Sequence, residues 1–187
     1  MGGAIACGLV RSGKFRAEDI VCTARTASTL ERLRTQCPEV RTTTDNAAAV
    51  RGAAVVVLAV KPWLTEPLIR EIGRAIDPDR QSVVSVAAGV SLSQLSEWLT
   101  FDRAAQPALF RAIPNTAIAV RQSMTFVASR GADADRMEQV LSIFRELGET
   151  MLVEEPMLET GMILASCGIA FALRYVRAAV EGGVELG

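Results

Sequence analysis

The chain has 187 residues; half are hydrophobic but only 5% aromatic, and 20 basic side chains nearly balance 21 acidic ones. Those figures fit one domain with a remainder and a layered core of Ala, Val, Leu and Ile, and they argue against nucleic acid or an anionic membrane surface as partner. No histidine is present, which excludes Ser-His-Asp and Cys-His nucleophile systems, a histidine general base and any His-ligated metal.

Residues 1–13 read as a helix with Ile5, Leu9 and Val10 on one face and Gly13 as its stop. A short strand is expected at 20–24. Ser28 is expected to cap a helix to about Cys37. A weak strand at 41–43 precedes a short helix capped by Asp45. The run 54–60 is β-branched and continuous, as in a strand buried on both faces, and Lys61-Pro62 stops it. A helix from Thr65 to Ile76 and a strand at 82–86 follow. Ser91 or Ser93 caps a helix to Trp98. Strands are expected at 109–113, 124–128 and 150–153, with a helix from Asp133 to Leu147 between the last two. From Leu158 the pattern is helical, broken around Ser166-Cys167-Gly168.

Strands alternating with helices predict an α/β, Rossmann-like doubly wound sheet over residues 1–153. Residues 154–187 read as the beginning of an all-helical C-terminal domain. The longest apolar run, Ala53 to Val60, is too short to span a bilayer. The four cysteines, at 7, 22, 37 and 167, form no CxxC pair. We read them as reduced structural thiols of a cytoplasmic protein.

Six segments carry chemistry. Met1-Gly2-Gly3 stands where a helix N-terminus could receive a pyrophosphate, or could simply pack closely. Arg25-Thr26 follows the second strand's position, where an NAD enzyme needs an acid; Arg and hydroxyls suit a 2′-phosphate instead, unless Arg25 is merely solvated. Val60, Lys61 and Pro62 end a strand at the carboxyl edge, where open α/β sheets bind ligands. Ala88-Gly89 and Asn115 offer close backbone approach and an amide to a nicotinamide, with an Asx turn as the plainer account of Asn115. Ala165, Ser166, Cys167 and Gly168 read either as a packing kink or as a restarted helix whose free N–H groups would hold a carboxylate.

Together, MGGAIACGLVRSG, LAVKP, SVAAGVS, RAIPNT, SCGIAF and AAVEGGVELG resemble, in order and over the whole chain, the pyrroline-5-carboxylate reductase family. The resemblance implies NADPH-dependent reduction of 1-pyrroline-5-carboxylate to L-proline, without a strong protein acid. It implies cofactor contacts at Met1, Gly2, Arg25, Thr26, Asn46, Val60, Lys61, Pro62, Ala88, Gly89 and Asn115, with Asn46 near the adenosine. Substrate contacts fall at Ala165 to Gly168, and no catalytic side chain and no metal is assigned. It implies a homodimer or larger homo-oligomer through interleaved helices that complete each other's sites. Against the family pattern, the first strand and its glycine loop and most of the dimerisation domain are missing, so both ends are read as truncated. Without that strand, Val56 is expected to be exposed. Ile169 replaces a proline and Met162 a threonine. The alternatives are another NADP-dependent imine or β-hydroxyacid reductase, with Lys61 at the reacting centre, and a non-catalytic fragment.

Overall fold

A computed structural model describes residues 1–100 and 105–187. The element order is α1 (Gly2–Ser12), β1 (Val21–Thr23), α2 (Ala27–Gln36), β2 (Arg41–Thr43), α3 (Asn46–Val50), β3 (Val55–Leu58), α4 (Thr65–Ile72), β4 (Ser82–Ser85), α5 (Leu92–Leu99), β5 (Ala108–Ile113), β6 (Ser123–Arg130), α6 (Ala134–Arg145), β7 (Gly148–Leu152), α7 (Met157–Met162) and α8 (Gly168–Leu186). Short 3₁₀ turns at 17–19, 62–64, 73–75 and 116–120 join them. A π turn, Ile163–Cys167, joins α7 to α8.

The strands form two sheets. β1 and β2 pair in parallel, Cys22 opposite Thr42. The other five run β3-β4-β5-β6-β7. In it β3, β4 and β5 are parallel, β6 is antiparallel to β5, and β7 is parallel to β6. Alternation along the strands sends side chains to two cores. Val56, Leu58, Val83, Leu109 and Ile113 pack with Ile69 and Ile72 of α4, Leu95 of α5 and Leu158 of α7. Val84, Ala108, Phe110, Ala112 and Val127 face the opposite way, onto Ile5 and Leu9 of α1 and Val140 and Phe144 of α6. Helices therefore cover both faces, as the doubly wound reading requires. A third, smaller cluster joins Ala6 and Cys7 of α1 to Cys37 and Val40 beside β1–β2.

The caps show why the helices start where they do. Asp45, Ser91 and Asp133 each accept a backbone N–H three residues on, and Ser91 with Gln94 completes a capping box. Gly13 stops α1 in the left-handed conformation, φ 72°. Ser28 is not a cap: α2 starts at Ala27 after an extended Thr26, and that hydroxyl lies 3.0 Å from Thr29 Oγ1. β3 is shorter than the apolar run. Val56 is buried rather than exposed, because it points to the α4–α5 side, while Val55 and Val57 are half-buried.

The segment from Met157 to Leu186 is one helical rod of 30 residues, long and apolar enough by length and composition to cross a bilayer. Its last two thirds stand clear of the rest: Phe171, Leu173, Tyr175, Val176, Val180 and Val184 are all exposed. At 100° per residue, Arg174, Arg177, Glu181 and Glu185 share one narrow stripe, where Arg177 and Glu181 pair at 2.8 Å. The broad remainder is apolar.

Candidate functional site: the carboxyl edge of the sheet

Because β3, β4 and β5 are parallel, the segments that follow them leave the sheet at the same edge. Those segments are Ala59 to Pro62, Val86 to Gly89, and Pro114-Asn115. A doubly wound sheet collects its ligands at this edge. Gly89 turns with φ 78°, a conformation that L side chains rarely adopt, and it leaves Ala88 and Gly89 exposed.

The first turn of α1 is brought to the same place. A Cβ added at Gly2 would meet the Ala59 Cβ at 3.0 Å. The helix N-terminus thus abuts Ala59, the residue after β3, which brings Met1 and Gly2 to the edge where Val60, Lys61 and Pro62 follow; this part of the edge is termed the ledge. The first N–H groups of α1 lack intrahelical acceptors, and the helix dipole adds partial positive charge. No acidic residue lies in that turn. The arrangement suits an anion.

Arg25 and Thr26 follow β1 and are exposed. Among the described residues no carboxylate pairs with Arg25. Asn46 begins α3, but its side-chain amide donates to Glu71 Oε1 at 3.0 Å. It therefore reaches toward α4. Lys61 is exposed and precedes the 62–64 turn.

The second wall of the edge comes from the π turn. Asn115 Nδ2 donates to the Ala165 carbonyl at 3.1 Å, drawing residues 165–168 to the end of β5. No helix restarts here. Cys167 has helical dihedrals and the Gly168 N–H bonds back to the Ile163 carbonyl. The free N–H donors expected of a new helix N-terminus are therefore not formed; the small residues widen one turn of a continuous helix instead. Ala165, Ser166 and Gly168 are half-buried and Cys167 is exposed.

One feature has no signal in the sequence. Arg111 lies mid-strand in β5, 6% exposed, and donates to Glu155 Oε1 at 2.8 Å. The same oxygen accepts the Leu92 N–H at 2.7 Å. Glu155 thus clasps the start of α5 and the centre of β5 to the segment that enters α7. Among the described residues the Arg111 Nε is buried without a partner. An arginine inside an apolar run is marked only by its charge, and its partner is 44 residues away.

Other titratable groups lie off the edge. Burial pushes the Cys22 thiol from an ordinary 9.0 up to about 11. Cys37 is also raised to about 11, by burial first and then by its neighbours Cys7 and Glu39. Among the described residues no cluster of Cys, Asp or Glu could hold a metal ion. Two hollows among the described residues also lie elsewhere. One, of about 340 Å³, is lined by Arg51, Ala53, Asp77 and Gln81 before β4. The other, of about 240 Å³, lies among Arg121, Arg145, Glu146 and Glu149.

The ledge therefore offers an anion seat at the start of α1, close backbone approach at Ala88-Gly89, and a helical wall at 165–168, with no imidazole. That combination suits a phosphorylated cofactor beside a small substrate.

Comparison with known proteins agrees. The family described as "NADP oxidoreductase coenzyme F420-dependent" matches residues 1–89. Pyrroline-5-carboxylate reductase 1 of Dictyostelium discoideum is 34% identical across all of this chain, which covers 35% of that protein. Reductase 2 of the same organism is 30% identical and reductase 3 of Macaca fascicularis 31%, each again over the whole chain and 66% of the relative. The chain thus spans between about a third and two thirds of the length of these relatives. A solved pyrroline-5-carboxylate reductase from Coxiella burnetii superposes with a TM-score of 0.88 at 29% identity, covering 98% of this chain and 67% of that one. A Plasmodium falciparum pyrroline carboxylate reductase solved with NADP bound shares the fold, with a TM-score of 0.86 at 18% identity over 100% of this chain and 66% of that one. With sequence and fold in agreement from end to end, this chain belongs to the pyrroline-5-carboxylate reductase family.

Proposed function

We propose that the chain carries the cofactor-binding and substrate-facing part of an NADPH-dependent reductase that converts 1-pyrroline-5-carboxylate to L-proline. The observation that carries this is the convergence at one sheet edge of the α1 N-terminus, packed on Ala59, and the 165–168 turn, held by Asn115, in a chain whose relatives bear that name.

The residues present fit the cofactor. The N–H groups of the first α1 turn suit a pyrophosphate, and Gly2 keeps the approach open. Arg25 and Thr26 offer donors to a 2′-phosphate, where an acid would have favoured NAD. Val60, Lys61, Pro62, Ala88 and Gly89 would border the ring end and Asn46 the adenosine side, whereas the Asn115 amide expected to serve the nicotinamide is engaged by the Ala165 carbonyl and the Ala117 N–H instead. When bound, NADPH supplies a hydride. The chain's own part is to place the imine carbon near that hydride and exclude competing geometries. A cyclic imine protonates readily, so the nitrogen arrives already carrying its proton. The lack of histidine is then no obstacle. Ala165, Ser166, Cys167 and Gly168 form the substrate side.

Residues 1–153 would be the cofactor-binding domain and 154–187 part of a helical domain that pairs with a second copy. The exposed apolar face of α8 supports that pairing, because so much apolar surface left in water marks a contact site. Four free thiols support a reducing, cytoplasmic setting.

The test is NADPH oxidation with 1-pyrroline-5-carboxylate, in wild type and Arg25→Ala. Turnover with a preference for NADPH that collapses in the variant supports the reading. Turnover with a 2-hydroxy acid that depends on Lys61 would replace it by the hydroxyacid alternative.

A further inference from the structure

The π turn is anchored from outside its own helix. In such a turn each N–H reaches one residue further back, as Gly168 does to Ile163, and the widened turn disturbs the regular pairing of carbonyls. The Ala165 carbonyl, inside it, receives the Asn115 amide at 3.1 Å across 50 residues of sequence. Asn115 is itself fixed. Its Oδ1 accepts the Ala117 N–H at 3.0 Å. Its backbone N–H donates to Ser123 Oγ at 3.2 Å, which lies 3.1 Å from Thr125 Oγ1. Asn115 is 5% exposed, Ser123 1% and Thr125 0%. A buried polar relay thus runs from β6 through the end of β5 to the helix. Because Oδ1 faces an N–H, the amide must turn its Nδ2 toward the carbonyl, so there is one orientation and one use for it.

We propose that Asn115 is a positioning residue that holds the π turn at Ile163–Cys167, and through it sets both the backbone at Ala165 to Gly168 and the rotational bearing of α8. This rests on the functional reading above for its effect on substrate, but not for its effect on the turn. The physical reason is the geometry of a one-residue bulge. If the extra residue is not pinned, the bulge can migrate or vanish. Loss of the bulge would swing the following helix by about 100°, and migration would swing the residues it passes by as much. The amide fastens the bulge to the end of β5, a fixed part of the sheet.

Asn115→Asp tests this. It keeps the shape and the acceptor for Ala117, but sets an oxygen against the Ala165 carbonyl. Hydrogen–deuterium exchange on the whole chain should show amides 163–170 exchanging about tenfold faster, with β5 and β6 unchanged. In steady-state kinetics the KM for the imine should rise about tenfold and the KM for NADPH stay within about twofold. Unchanged exchange at 163–170 overturns the proposal. An NADPH KM that rises as far as the imine KM also overturns it, and assigns Asn115 to the cofactor instead. If wild type turns over no imine, the functional reading fails while the exchange result still decides the role of Asn115. Should Asn115→Asp not fold, Ser123→Ala removes the bond that seats the Asn115 backbone. Since it also loses the contact with Thr125 Oγ1, it is read beside Thr125→Val, which removes that contact alone: about threefold faster exchange at 163–170 is expected in Ser123→Ala and not in Thr125→Val, and no change in Ser123→Ala overturns the proposal.

Discussion

Gly2 and Ala59 touch across the carboxyl edge: a Cβ on Gly2 would sit 3.0 Å from that of Ala59. Three ångström is tighter than ordinary carbon–carbon contact, so any larger residue at position 2 must lift the first turn of α1 off the strand end. Gly2→Val should therefore weaken NADPH binding about tenfold while moving the unfolding midpoint by only a few degrees. Fluorescence titration measures the first and thermal melting the second. Equal affinities in variant and wild type would separate this contact from cofactor binding.

Gly161 makes a closer approach. A Cβ there would meet the Phe126 ring at 2.6 Å, so the glycine lets α7 lie flat on β6. Gly161→Ala should cost about 1–3 kcal/mol through overpacking. Shrinking the ring with Phe126→Leu should recover part of that loss in the double variant. Chemical denaturation of the four proteins closes the cycle, and strict additivity of the two losses would show that the groups do not interact.

The thiol cluster makes stability fall at alkaline pH. Cys22 and Cys37 are raised to about 11 in the folded chain, so between about pH 9 and 11 the folded state holds protons that the unfolded state has released. Their stabilisation is complete below the unfolded thiol pKa and disappears as pH rises through the folded value. Cys37 faces Cys7 and Glu39, so Cys37→Ala should flatten the decline. Melting curves across that range test it: a midpoint independent of pH from 9 to 11 would contradict the assignment.

Association should follow from α8. Leaving Phe171, Leu173, Val176 and Val180 exposed forgoes about 25 cal/mol for each Å² of apolar surface that a partner would cover. Light scattering should find dimers or larger species at micromolar concentration. Val176→Glu, near the middle of the apolar face, should shift the population toward monomer, whereas Arg174→Glu on the charged stripe should change it far less. A monodisperse wild-type monomer would be the opposite result.

Much of the scaffold is written locally. Asp45 and Asp133 stand immediately before apolar-periodic stretches, and each caps its helix as its position requires. The nearly continuous apolar run at 108–113 and the polar–apolar alternation from Ser123 to Phe126 place two of the strands. Ser28 misled because Thr26, two residues earlier, is equally able to begin a helix, and only the extended dihedrals of Thr26 settle the boundary. The interruption at 166–168 was visible as small residues. Its nature was not, because whether the turn breaks or widens depends on Asn115, far away in sequence. Arg111 and Glu155 illustrate the same limit: each looks like an ordinary charge until the fold brings them within 2.8 Å.

The Glu155 clasp has a mechanical meaning. One carboxylate oxygen takes both the Leu92 N–H and the Arg111 guanidinium, so the entry to α7 is tied at once to a helix on one face of the sheet and to a strand within it. A tie to two bodies sets direction as well as distance. The long rod that begins at Met157 is thus bolted at its root, and its apolar side is presented at a set angle rather than hung from a free chain.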